Sequence, residues 1–149
     1  CALPIYKINF SVEVTESNPS KLSKSDSPEC KIELRVRQRY QLRIPSNEGV
    51  LFVVEDVTAP EWRKSLAVPL MYPICIWRQV SVPTLFQEFR FDPAVVASLR
   101  FKVAAKVEAL CEQSGFRNVE LVATVWISKE EVMSTEEINR ILANLDENS

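Results

Sequence analysis

Hydrophobic and polar residues alternate along several stretches of the chain, and the longest is 30–44. There Cys30, Ile32, Leu34, Val36, Tyr40, Leu42 and Ile44 point one way. Lys31, Glu33, Arg35, Arg37, Arg39, Gln41 and Arg43 point the other. A period of two belongs to a strand with one face in the core and one in water. A straight strand of that length would reach about 50 Å, whereas ordinary strands have about five or six residues. A bend is therefore expected, and Gln38, the one break in the apolar row, is the natural place for a bulge.

The same pattern marks 5–15, with Tyr6, Ile8, Phe10, Val12 and Val14 on one face, and 119–128, with Val119, Leu121, Ala123, Val125 and Ile127. Val50–Val54 is apolar without alternation and reads as a central strand buried on both faces. Between these, 16–29 is rich in Ser, Pro and charge and reads as a flexible surface loop. Prolines 60, 69, 73, 83 and 93 break the next region into short edge strands and irregular segments. Ile74–Val82 is the best strand candidate in it, and Leu85–Phe91 fits either a strand or a helical turn.

Two helices follow. Asp92-Pro93 supplies an N-cap carboxylate and a proline at the first helical position. Val95, Leu99, Val103, Val107 and Leu110 then recur at helical spacing, and Gly115 ends the helix. Ser134 and Glu137 form a capping box for a second helix over 134–145 that carries Ile138, Ile141, Leu142 and Leu145. The tail 146–149 is expected to fray. The whole reads as an α+β fold in one domain, 1–149. An antiparallel or mixed sheet is built mainly from residues 5–91, the 93–114 helix is packed on it, and strand 119–128 and the C-terminal helix complete it.

Composition changes this picture little. The chain has 149 residues, 46% hydrophobic and 26% charged, which suits one folded domain. Net charge is −2, which argues against generic nucleic-acid binding. Residues 1–45 nevertheless carry 8 Lys+Arg against 5 Asp+Glu, and residues 92–149 carry 6 against 10. No apolar run approaches the about 20 residues of a bilayer helix. Cys1, Cys30, Cys75 and Cys111 are widely spaced and match no metal-finger pattern. Free thiols, a reducing compartment and a cytoplasmic location are expected. Cys1 as a processed N-terminus would instead imply a lipid-anchored or secreted protein, and the even count leaves disulfides open.

The chemistry excluded is more informative. There is no histidine, which removes histidine-based nucleophile systems and histidine metal sites. Two glycines are too few for a phosphate-binding glycine loop. No Ser-x-x-Lys occurs. No catalytic residue, metal, cofactor or small-molecule ligand is assigned, and an enzyme would have to work through carboxylates.

Two candidate surfaces remain. Lys31, Arg35, Arg37, Arg39 and Arg43 share one strand face, about 7 Å apart at successive positions. Arginine binds phosphates and carboxylates bidentately, so the row fits a polyanion or an acidic partner. The plain alternatives are a solvated outer face that discourages edge pairing, or charge pairing with acids on a neighbouring strand. The proline-broken segment holding Met71, Tyr72 and Trp77 would be an apolar interface if exposed and ordinary core if not. The expected function is a non-catalytic binding or assembly module acting on a protein partner or a second copy. Nucleic-acid or polyanion binding through the arginine row is the alternative, and a carboxylate enzyme the third reading.

Overall fold

The computed structural model describes residues 5–17, 27–46 and 48–147. The centre of the expected 16–29 loop, the last two residues and Cys1 lie outside that set. The fold is α+β, as the pattern implies. In chain order the elements are β1 (Ile5–Glu16), β2 (Glu29–Pro45), β3 (Leu51–Thr58), β4 (Trp62–Pro69), α1 (Ile74–Val80), α2 (Pro93–Ser114), β5 (Val119–Val132) and α3 (Thr135–Glu147). The strands are ordered β1-β5-β2-β3, and β4 also pairs with β2.

The chain divides into two compact units. One, here the core unit, comprises 11–36 and 61–126; the other, the open unit, comprises 5–10, 37–60 and 127–147 of the described residues. Strands β1, β2 and β5 contribute to both.

In the core unit, β2 pairs antiparallel with β4 from Glu29–Pro69 to Val36–Trp62. The alternation does what it implies: Cys30, Ile32, Leu34 and Val36 are buried, as are Val119, Leu121, Ala123 and Val125 of β5. Helix α2 supplies the other half of this core through Val95, Leu99, Val103, Ala104, Val107 and Leu110. At about 2 kcal/mol each, its five branched members contribute on the order of 10 kcal/mol of gross burial. Its ends are set locally. The Asp92 carboxylate accepts the Ala94 N–H at 2.8 Å. Gly115 closes the helix at φ +80°, a conformation that disfavours any residue with a Cβ. Lys102 Nζ donates to the Val12 carbonyl at 2.5 Å, tying α2 to β1.

Ile74–Val82 is not a strand. It forms α1 followed by a short 3-10 turn at Val82–Thr84. Its less exposed residues Ile74, Trp77 and Ser81 recur every three to four positions, so the period is helical. The prolines at 73 and 83 bracket a segment too short for sequence to separate the two periods. Residues 85–91 are turns in which Phe86 adopts φ +65°. Burial of its ring offsets that unfavourable backbone. Phe89 packs edge-on against Trp62 at 5.6 Å and stacks with Phe91 at 5.8 Å.

In the open unit, β2 pairs antiparallel with β3 from Arg39–Thr58 to Pro45–Leu51. The expected bulge at Gln38 is displaced. The register steps between Leu42–Glu55 and Arg43–Val53, leaving Val54 as the extra residue. What happens at Gln38 is a change of neighbour: pairing with β4 ends at Val36, pairing with β3 begins at Arg39, and the Gln38 carbonyl accepts the Ala59 N–H at 3.0 Å. Arg37, Gln38 and Arg39 are all exposed and Gln41 is buried, so the alternation stops where the partner changes.

The reading of 50–54 as a central strand is overturned. Strand β3 stands last in the strand order and is exposed along its whole length. It has β2 on one edge, and no described helix covers either face.

Candidate functional site

The arginine row falls partly in each unit, and its charges are answered within the chain. In the core unit, Arg35 donates from Nε and Nη2 to Glu33 Oε2 at 3.1 and 2.8 Å. Lys31 Nζ lies 3.7 Å from Glu29. Arg63 on β4 stands opposite Arg35 in the register and is held by Glu61 at 2.7 Å.

In the open unit, Arg39 grips Asp56 with both arms of its fork, Nε to Oδ1 at 3.0 Å and Nη2 to Oδ2 at 2.6 Å. The Gln41 side-chain amide donates to the same carboxylate at 3.2 Å. These bonds, Arg39 first, push the Asp56 carboxyl down to about 2 and raise the Arg39 guanidinium above its ordinary value. Arg43 Nη2 donates to Gln41 at 3.1 Å and to Glu130 at 3.3 Å, while its buried Nε finds no protein acceptor. Tyr40 donates to Glu131 at 2.5 Å. Arg37 is exposed and has its own interaction within the chain.

Met71, Tyr72 and Trp77 do not form one surface. Trp77 is fully buried in the core unit, so it serves packing. Tyr72 is 79% exposed, edge-on to Phe116 at 5.6 Å, and Met71 is half-buried.

The more conspicuous surface is one that sequence reasoning assigned to the core. On β3, Leu51, Phe52, Val53, Val54 and Val57 are each 44–57% exposed. On α3, Ile141, Leu142 and Leu145 are 46–60% exposed. Among the described residues, every buried apolar side chain belongs to the core unit. In the open unit, Leu42, Ile44, Ile127, Val132 and Ile138 are partly covered but none is fully buried. No local signal separates the two cases: the apolar run 50–54 is the same string whether the strand is covered or bare.

Three described thiols are free: Cys30, Cys75 and Cys111. Burial pushes Cys30 up to about 12 and raises Cys111, so neither is a ready nucleophile. Among the described residues no group of three or more Cys, Asp or Glu is placed to hold a metal. No described helix is long and apolar enough to cross a membrane. No family model matches the chain, and no curated protein or solved structure matches it either.

Proposed function

We propose that the protein is a non-catalytic assembly module that acts through protein–protein contacts made by β3 and α3 of the open unit. The observation that carries this reading is β3. It is an outermost strand whose apolar side chains emerge on both faces and are half exposed along its length. Monomers rarely leave such a contiguous patch in water, and a bare strand edge is a template for association. The partner in this reading is a protein offering an apolar surface.

Nucleic-acid or polyanion binding through the arginine row is the second reading. Its motivation is the row itself. Against it, Lys31, Arg35, Arg39 and Arg43 each have a carboxylate within 4.0 Å, and a phosphate would have to displace those acids. A carboxylate enzyme stands third, without histidine to assist it. The free thiols, one of them deeply buried, fit a reducing, cytoplasmic setting.

The test compares the tagged chain with Phe52→Asp and Arg39→Glu variants recovered from the native source. Stoichiometric protein should accompany the wild type and Arg39→Glu but not Phe52→Asp. The reading falls if no such protein is recovered and the chain is instead held on heparin with a steep salt dependence that Arg35→Glu/Arg37→Glu/Arg39→Glu abolishes.

A further inference from the structure

We infer that the core unit takes up an extended acidic peptide, which adds as a strand to the free edge of β1 and seats its side chains against α2. This surface is separate from β3 and α3. Strand β1 ends the strand order, and β5 is its one neighbour among the described strands. The Ser17 N–H donates to the Glu120 carbonyl of β5 at 2.9 Å. Backbone groups of successive strand residues face alternate edges, so Val12 and Val14 turn their N–H and C=O groups away from β5. Accordingly the Val12 carbonyl is met not by a strand but by Lys102 Nζ, at 2.5 Å. The segment 11–16 holds no proline and no lysine, so the strand itself carries none of the usual blocks to pairing.

Beside that edge lies a groove of about 410 Å³ between Val12 and Val14 of β1 and Phe101, Lys102, Ala105 and Lys106 of α2. Phe101 is 65% exposed and Ala105 is exposed beside it, so the helix offers an apolar wall. Glu13 also borders the groove, but strand alternation sends its side chain to the opposite face of β1.

The charge of the groove is positive. Among the described residues no carboxylate lies within 4.0 Å of Lys102 or Lys106. Side chains four apart on a helix are about 6 Å apart, and those two apart on a strand about 7 Å. Two acidic residues on one face of an added strand therefore meet both lysines. Lys102 then gives up the Val12 carbonyl to an incoming N–H and turns to a carboxylate. Main-chain hydrogen bonds hold such a peptide, and the groove reads its alternate side chains. A phosphate chain would meet the lysines but offers no donor to the Val12 and Val14 carbonyls.

Selection from a displayed library of random octapeptides, with the whole chain as bait, tests this. The enriched peptides should carry Asp or Glu two positions apart. A synthetic peptide of that sequence should slow hydrogen exchange at the Val12 and Val14 amides and change little at Glu13 and Thr15, which face β5. Circular dichroism should show every variant folded. Ala105→Arg fills the groove from an exposed site that suits arginine, and should abolish binding. Lys106→Glu, which leaves the Lys102 contact intact, should weaken binding about 5-fold or more, as for one exposed ion pair turned repulsive. Phe52→Asp should bind as the wild type does. The inference falls if no acidic peptide is enriched, or if the peptides bind Ala105→Arg as well as the wild type. It falls too if Val12 and Val14 gain no protection, in which case Lys102 is a guard against edge pairing. Binding lost in Phe52→Asp but kept in Ala105→Arg would assign the peptides to β3, overturning this inference and leaving the assembly reading in place.

Discussion

The two units are woven from the same strands but held by different forces. The core unit is held by burial: Leu34, Leu99, Val103, Val107 and Val125 have no appreciable contact with water. The open unit has no fully buried apolar residue among those described, and polar bonds tie its strands instead. Arg39 joins β2 to β3 through Asp56, and Arg43 and Tyr40 reach Glu130 and Glu131 on β5. Ion pairs on exposed surfaces are worth little, with a median of about 0–1 kcal/mol. Stability should therefore concentrate in the core unit.

The largest expected effect separates the units directly. Leu99→Ala should cost about 3–5 kcal/mol in urea unfolding, from lost burial plus a cavity. Phe52→Ala should stay within about 1 kcal/mol, because its ring is largely exposed. Equal losses would erase the distinction. A smaller contrast lies in the helix caps. Asp92→Ala should lower global stability by about 1 kcal/mol, because α2 is part of the core. Ser134 Oγ accepts the Glu137 N–H at 3.2 Å. Its replacement by Ala should reduce helicity at α3, read by hydrogen exchange, with little shift of the global midpoint, since α3 has few tertiary contacts to lose.

The smallest effect is a titration. Asp56 should titrate near 2 by carbon NMR, against its ordinary 3.8. A depressed carboxylate stabilises the fold above its unfolded value, and that contribution is lost as pH falls from about 3.8 through about 2. Arg39→Gln should return Asp56 toward 3.8 while leaving the unfolding of the core unit unchanged. A carboxyl that stays near 2 in that variant would mean the open unit is not held by this pair.

What could be read in the sequence was what local chemistry decides. Asp92-Pro93 and Gly115 mark the two ends of α2, and Ser134 with Glu137 marks the start of α3. The alternation from Cys30 to Val36 and from Val119 to Val125 picks out the buried positions one by one. What could not be read was position in the sheet. Leu51–Val54 is the same string whether a strand is sandwiched or bare. The partners of the arginines were only partly accessible: Glu33 lies two residues from Arg35, but Asp56 is 17 from Arg39 and Glu130 is 87 from Arg43. Distance along the chain hid the neutralised row. The brevity of Ile74–Val80, bracketed by prolines, hid a helix.

The extra residue at Val54 has a further consequence. A bare, apolar, lysine-free strand is the kind of element that stacks into fibres by adding like strands without end. The bulge divides β3 into 51–53 and 55–58 and puts a kink between them, so an incoming strand could align with one short segment or the other but not run along both. Growth by edge addition is thereby penalised while the side-chain faces stay available. The bulge thus guards an exposed apolar strand against continuous edge-to-edge addition.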